Sequence, residues 1–151
     1  MLVQMNVRGL MFDPHRDVYV LILRNDEDEG VLPVWIEKAD AYALGLAIEG
    51  IFTQRPLTHD LFKNLLDALE AKIISIVISD LKESIYYSKI HLVYRDSEFA
   101  VDARPSDAIA MALRAAAPIF VAEHVIKKQS AEGFDRWLDH LKPEDFGKYS
   151  A

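Results

Sequence analysis

The chain has 151 residues and no cysteine, and it carries a formal net charge of −7 with 51% apolar and 27% charged residues. The length and composition predict one globular domain. Without cysteine the chain cannot form disulfides, thiolate metal sites or cysteine nucleophiles. No apolar run approaches the ~18 residues that a membrane-spanning helix requires. With no visible signal peptide we expect a cytoplasmic protein. Its acidity argues against holding nucleic acid by electrostatics alone, although an enzyme that meets phosphate through a divalent cation or a small arginine cluster stays possible.

The first half of the chain is predicted to form three strands followed by two helices. Alternating and β-branched runs predict strands at Leu2–Phe12, Val18–Leu23 and Val31–Ile36. Helical spacing of apolar residues predicts helices over Lys38–Gly50 and Thr58–Ala71. In the second helix we expect Thr58 to be the N-cap and its neighbours Leu57 and Phe62 to form a hydrophobic staple. Four leucines of this helix share one side and are predicted to form a buried stripe: Leu61, Leu65, Leu66 and Leu69.

The second half is predicted to repeat this order. Its strands are expected at Ile73–Ser79, Ser84–Tyr94 and Glu98–Asp102, with a short addition at Ile119–Val121. Helices are predicted at Pro105–Ala116 and Gln129–Leu141. The last helix places four apolar residues on one side: Phe134, Trp137, Leu138 and Leu141. We therefore expect a main domain over residues 1–126. Residues 127–151 are expected to form an amphipathic helix and tail that pack on this domain or at a homodimer interface.

Two segments, Ala39–Leu46 and Ser106–Leu113, read alike at an offset of 67 residues, and each follows a strand. A fixed offset of this kind indicates internal duplication. The predicted fold class is therefore α/β (α+β), with duplicated β-β-β-α-α units forming a mixed, strongly curved sheet packed by helices.

The segment Arg55–Asp60 is the first candidate for chemistry. His59 and Asp60 are expected in the first turn of a helix, where the dipole favours neutral imidazole. A neutral histidine can act as a general base near pH 7. The alternative is structural, with Asp60 only complementing the dipole and His59 only solvated.

The segment Asp102–Asp107 is the second candidate, because Arg104-Pro105 repeats the Arg55-Pro56 pair. An arginine beside the first N–H groups of a helix is typical of a phosphate site, to which Ser106 would contribute. Asp102 and Asp107 could ligate Mg²⁺ or Mn²⁺ or position a water. The alternative is helix capping by Ser106 or Asp107 and a structural ion pair of Arg104.

Asp40 is the third candidate, and it is the counterpart of Asp107 in the predicted repeat. Its structural interpretation is helix capping. If the two halves pack pseudo-symmetrically, Asp40 and Asp107 could approach one another and share a metal.

Taken together, these motifs resemble the bifunctional nuclease domain family. The resemblance covers roughly residues 2–126 and rests on ordered blocks at Leu32–Ile36, Ala39–Ala41, Arg55–Asp60 and Arg104–Ala110. The closing Leu141–Phe146 is also similar to the end of many bacterial members. The resemblance implies a compact, duplicated α/β fold and nuclease activity on RNA and DNA.

The first hypothesis is therefore a nuclease that hydrolyses phosphodiester bonds. Its catalytic residues would be His59, Asp60 and Asp107, and its phosphate-binding residues Arg55, Arg104 and Ser106. A Mg²⁺ or Mn²⁺ ion would be held by Asp102, Asp107 and Asp40, and no organic cofactor is expected. The alternatives are a non-catalytic module that recognises a phosphorylated ligand or a protein partner, and a dimerisation domain. A homodimer is expected under all three.

Overall fold

The computed structural model describes residues 1–27 and 30–131. Within them, seven strands are β1 (Leu2–Asp13), β2 (Val18–Arg24), β3 (Val31–Ile36), β4 (Lys72–Lys82), β5 (Ile85–Tyr94), β6 (Ser97–Ala103) and β7 (Ile119–Ala122). The helices of the same part of the chain are α1 (Lys38–Glu49), α2 (Thr58–Ala68), α3 (Pro105–Ala115) and α4 (Glu123–Ala131).

All seven strands belong to one sheet in the order β3-β2-β1-β7-β4-β5-β6. The first three strands form one antiparallel meander and β4, β5 and β6 form another. Between them lies β7, which pairs antiparallel with β1 and parallel with β4. The mixed sheet and the α+β class are therefore confirmed.

The two halves share an order only in part. Each meander is followed by a helix, α1 or α3, as the sequence predicts. In the second half, however, β7 stands between α3 and α4, so that half runs β-β-β-α-β-α. Internal duplication and strong curvature of the sheet stay predictions.

The core lies between the sheet and the helices α1, α3 and α4. Its fully buried side chains come from both meanders and from β7, and they include Leu21, Leu23, Leu32, Ile76, Ile78 and Val121. Helix α3 contributes Ile109 and small residues such as Ala108 and Ala112. Small side chains let helices and sheet approach closely, so α3 lies deep in the molecule.

Helix α2 does not have the predicted buried stripe, and none of its residues is buried. The exposed fractions are 51% for Leu61, 52% for Leu65 and 59% for Leu69, and Leu66 is intermediate. The helical spacing was predicted correctly. Periodicity shows which side of a helix is apolar, but it does not show whether another element covers that side.

The start of α2 also differs from the prediction, because the N-cap is Leu57 and not Thr58. The Asp60 carboxylate accepts a hydrogen bond from the Leu57 backbone N–H at 3.0 Å. Thr58 is therefore the first residue of the helix, so the predicted cap is wrong, whereas the predicted contact between Leu57 and Phe62 stays a prediction.

The C-terminal prediction falls mostly outside the described residues. Helix α4 runs across the expected boundary at residue 126 and ends the described part of the chain. The predicted apolar side at Phe134, Trp137, Leu138 and Leu141 lies beyond it. Among the helices of residues 1–27 and 30–131, none has the length and apolar character needed to cross a bilayer.

Candidate functional site

The first turns of three helices border a single cleft of about 1090 Å³. Asp40 lies in the first turn of α1, His59 in that of α2 and Asp107 in that of α3, and all three side chains line the cleft. Acidic side chains are favoured at these positively polarised helix ends. The beginnings of α2 and α3 therefore converge as the sequence hypothesis requires, and α1 joins them.

Asp107 is the centre of the polar cluster. Its Oδ1 lies 2.9 Å from His59 Nε2, and its Oδ2 accepts a hydrogen bond from Arg104 Nε at 2.9 Å. The side chain of His59 is 16% exposed and that of Asp107 is 36% exposed. One carboxylate thus connects a partly buried imidazole to a guanidinium group.

Arg104 joins the starts of α1 and α3. Its two terminal nitrogens donate to the two carboxylate oxygens of Asp40 at 3.1 and 3.2 Å. Arg104 is the N-cap residue of α3, and Pro105 follows as the first helical residue. The preceding residue is held to β5, because the buried Ser88 hydroxyl donates to the Ala103 carbonyl. The end of β6 and the start of α3 therefore fix where this arginine leaves the backbone.

The charges of this cluster stabilise each other. Burial opposes ionisation of Asp107, but hydrogen bonds from Arg104 and His59 outweigh it and lower the pKa of the carboxyl group. Hydrogen bonds to Asp107 and Asp40 raise the pKa of Arg104. Near neutral pH, Asp107 is therefore ionised and can only accept hydrogen bonds. In the neutral form of the imidazole, the contact with this carboxylate requires the proton of His59 on Nε2, which leaves the lone pair on Nδ1.

Asp60 takes part in a separate ion pair and forms no hydrogen bond to His59 among the described contacts. Its Oδ1 accepts from Arg114 Nε at 2.7 Å. Arg114 also donates to the carbonyls of Ala110 and Ala43, at 3.0 and 3.2 Å. Because Ala43 lies in α1 and Ala110 in α3, this arginine ties the start of α2 to both other helices.

Sequence reasoning missed Arg114, whose side chain is only 10% exposed. Burial disfavours the charged Asp60, yet the hydrogen bonds from Arg114 and the Leu57 N–H lower the pKa of Asp60. Arg114 is the one basic residue in a helix of mostly small and apolar residues. A long charged side chain in such a helix generally needs a partner, which is the signal that could have identified it.

The cleft also has an apolar wall that the sequence did not indicate. One side is formed by Leu61, Phe62 and Leu66 of α2, and the sheet supplies Ile73, Ile90, Leu92 and Val101. The charged cluster of Asp40, His59, Arg104 and Asp107 lies where the three helices begin, and Asp102 of β6 adds a further carboxylate to the lining of the cleft.

The other predicted site residues form no described hydrogen bond with the polar cluster. Arg55 is exposed, Ser106 is 8% exposed, and neither is among the residues that line the cleft. Asp102 is exposed on β6 and does line it. Of the predicted residues, the structure thus brings Asp40, His59, Arg104 and Asp107 into one hydrogen-bonded group.

The donors predicted for a divalent metal do not form a preassembled site. Within residues 1–27 and 30–131, no three acidic or histidine side chains are grouped so that they could hold a metal ion. Asp40 and Asp107 do approach each other, but the guanidinium group of Arg104 lies between them. The positive charge expected there is therefore supplied by an arginine.

Comparison with known proteins identifies relatives along most of the chain. A family profile described as the bifunctional nuclease domain matches residues 21–133. An uncharacterized protein of Mycobacterium tuberculosis is 33% identical over 162 aligned residues, covering 95% of this chain and 97% of its own length. Bifunctional nuclease 1 of Oryza sativa subsp. indica and the bifunctional nuclease of Oryza minuta are each 25% identical over 127 residues. These two alignments cover 82% of this chain and 38% of each plant protein.

Proposed function

Because the chain belongs to the bifunctional nuclease domain family, we propose that it is a nuclease that cleaves phosphodiester bonds of RNA or DNA in the cleft. The observation that carries this proposal is the 2.9 Å contact between His59 and Asp107, with Arg104 bound to the same carboxylate. This places a proton acceptor and a cation together at one end of the cleft. The names of the plant relatives support the same activity.

His59 is the proposed general base. A hydroxyl nucleophile would pass its proton to Nδ1 while its oxygen bonds to phosphorus. The bond from phosphorus to the leaving oxygen then breaks, and His59 returns the proton to that oxygen. Asp107 would stabilise the imidazolium through Nε2 and keep the ring in one orientation, because their contact is short and the carboxylate is ionised.

Arg104 is the proposed phosphate ligand. Its side chain is 61% exposed, and three of its five N–H groups are donated to Asp107 and Asp40. Two N–H groups therefore stay available for a phosphate oxygen whose charge increases during the reaction. Asp40 would hold the guanidinium plane in place, which is a positioning role.

The role of Mg²⁺ or Mn²⁺ stays a proposal separate from this mechanism. The described acidic groups fit a divalent ion poorly, since Arg104 occupies the space between Asp40 and Asp107. Of the predicted ligands, Asp102 lines the cleft and has no described ion-pair partner, so it would be available to an ion brought in with the substrate. Cleavage assays with Mg²⁺, with Mn²⁺ and with EDTA distinguish these cases.

The decisive experiment compares His59→Gln with His91→Gln. His91 is a histidine of β5 that does not line the cleft, so it is a matched control. We expect the His59 variant to lose about 100-fold or more of kcat on single-stranded RNA and DNA while its circular dichroism is unchanged. The His91 variant should keep its activity. Full activity of a folded His59 variant would contradict the proposal.

A second function is favoured by the apolar wall and by the neutralised arginine. Arg104 is matched by two carboxylates, so the cluster supplies little net positive charge to attract a polyanion. A non-catalytic module that binds a small phosphorylated ligand through the cleft would be consistent with this low net positive charge. Its signature is a higher Tm with mononucleotides and no turnover, and Arg104→Gln should remove the shift.

A further inference from the structure

Helix α2 and the edge strand β6 together form a large exposed apolar surface. The α2–β6 surface consists of six side chains that are 47 to 59% exposed: Leu61, Phe62, Leu65, Leu69, Phe99 and Val101. On the strand, Phe99 and Val101 pair with Leu92 and Ile90 of β5, which line the cleft together with Val101. The surface is therefore continuous with the apolar wall of the cleft.

The charges around this surface limit what can cover it. None of its six side chains is charged, and the adjacent Lys63 is paired with Asp67 at 2.6 Å on the same helix. A nucleic acid would need clustered cations here, and the surface supplies none. A second copy of this chain would bring the same uncharged side chains, so no like charges meet at the centre of the contact despite the net charge of −7.

The spacing of the exposed leucines fits a twofold contact with a second copy. Leu61, Leu65 and Leu69 are spaced by four residues and form one row along α2, and the row lies beside the apolar cleft. A twofold axis across such a row places Leu65 against its own counterpart. Each copy then presents both the row and the adjoining apolar cleft to the other, which is the self-complementarity that a symmetric dimer requires.

The area is sufficient for a specific contact. Half-exposed leucine, phenylalanine and valine side chains each leave on the order of 100 Å² accessible. Six of them on each of two copies come to about 1,200 Å², the lower bound of stable interfaces. On a monomer, the same patch would be as large as the largest apolar patches usually seen.

We propose that two copies of this chain associate through the α2–β6 surface and that each copy closes the open apolar side of the other's cleft. This contact differs from the one considered from the sequence, where residues 127–151 were expected to pack on the domain or at a homodimer interface. It does not depend on nuclease activity, since the oligomeric state can be measured without a substrate.

The first test is the mass in solution by gel filtration with light scattering at micromolar concentration. We expect twice the 17.2 kDa of one chain, and the mass of one chain for Leu65→Glu and for Phe99→Glu. Phe52→Glu is the matched control, because Phe52 is 95% exposed and lies outside the surface. It should stay dimeric. A monomeric wild type, or a dimer unaffected by both substitutions, would overturn the proposal.

A second test uses the absence of cysteine from the chain. Leu65→Cys introduces a single thiol beside the proposed axis, and a short bis-maleimide should join two copies within minutes. Phe52→Cys should cross-link far more slowly. This result does not require the variant to tolerate a buried charge. Equal cross-linking rates for the Leu65→Cys and Phe52→Cys variants would refute the proposal. It would also be refuted if the purified, cross-linked product contained a protein other than this chain.

Discussion

Helices α2 and α3 both bring a first-turn residue to the cleft, but they are held in the molecule by different forces. Six residues of α3 are buried, including Ile109, which has no exposed surface. None of the residues of α2 is buried. Helix α2 is instead tied by polar contacts near its start, from His59 to Asp107 and from Asp60 to Arg114. One side of the site is thus fixed by the core and the other by hydrogen bonds and charge.

This difference has a consequence for how the site opens. Segments with few buried apolar contacts open locally at a lower free energy than the core. Helix α2 carries the proposed base, whereas α3 carries its orienting carboxylate. Loss of the polar contacts should therefore move His59 before it moves Asp107.

The largest expected effect is on the buried helix. Ile109→Ala should lower the free energy of unfolding by about 2–5 kcal/mol, because it leaves a cavity in the core. Leu69→Ala removes an apolar side chain of similar size from the C-cap of α2, where it is 59% exposed, and should cost less than about 1 kcal/mol. Urea unfolding followed by circular dichroism gives both values.

These measurements should be made at two protein concentrations, so that any contribution of a dimer through α2 becomes visible. Equal losses for Ile109→Ala and Leu69→Ala at the lower concentration would mean that α2 is packed as firmly as α3. The comparison between the two helices would then be wrong.

The next effect concerns the ion pair that ties α2 to its neighbours. At pH 7, Asp60→Asn should cost about 1–2 kcal/mol, since it removes a charged hydrogen bond from the poorly exposed Arg114. Asp67→Asn is the control on the same helix. Asp67 pairs with Lys63 on an exposed face and should contribute less than about 0.5 kcal/mol.

The same pair predicts a pH dependence. The pKa of Asp60 is lowered in the folded state, so its stabilising contribution is present above about pH 4, the ordinary range of an unfolded aspartate. It is lost as the pH falls through the folded-state pKa. Asp107 has the same direction of shift. Thermal unfolding from pH 7 to pH 3 should show a smaller acid loss for Asp60→Asn than for wild type. Parallel curves would contradict the assigned role of Asp60.

The smallest effect tests how α1 and α3 end. Gly50 follows α1 with a φ of 64°, and Ala116 follows α3 with a φ of 52°. This left-handed region is strained for alanine, so Ala116→Gly should stabilise the protein by up to about 1 kcal/mol. Ala115→Gly, one residue earlier and still helical, should instead destabilise it by about 0.5–1 kcal/mol. If both variants shift Tm in the same direction, the left-handed backbone conformation of Ala116 is not the cause of the change in stability.

Much of the fold could be predicted from the chain because its signals are local. Apolar and β-branched runs identified β1, β2 and β3, and Gly50 marked the end of α1. The pairing of β7 between the two meanders was not predictable, since it depends on contacts between residues more than one hundred positions apart. Local patterns carry no information on which strands become neighbours.

The site was predictable in its residue types but less so in its partners. The first-turn positions of His59, Asp60 and Asp107 followed from helix signals. That two helix starts lie close together in the fold was a hypothesis that these local signals could not test. The bridge made by Arg104 between Asp40 and Asp107 requires two helix starts to face each other, which no sequence spacing encodes. The same holds for Arg114, whose partner Asp60 is 54 positions away.

The position of β7 determines when the chain can complete its fold during synthesis. Strand β1 can pair with β2 as soon as both have left the ribosome. Its other edge can pair only after β7, Ile119–Ala122, has been synthesised. Until then the two meanders have no strand between them. The polar cluster contains residues that follow both meanders, since Arg104 follows β6 and its partner Asp40 follows β3. A nascent chain therefore acquires a continuous sheet only after Ile119–Ala122 has been synthesised, and a message truncated before this codon range would lack the strand that joins the two three-stranded units.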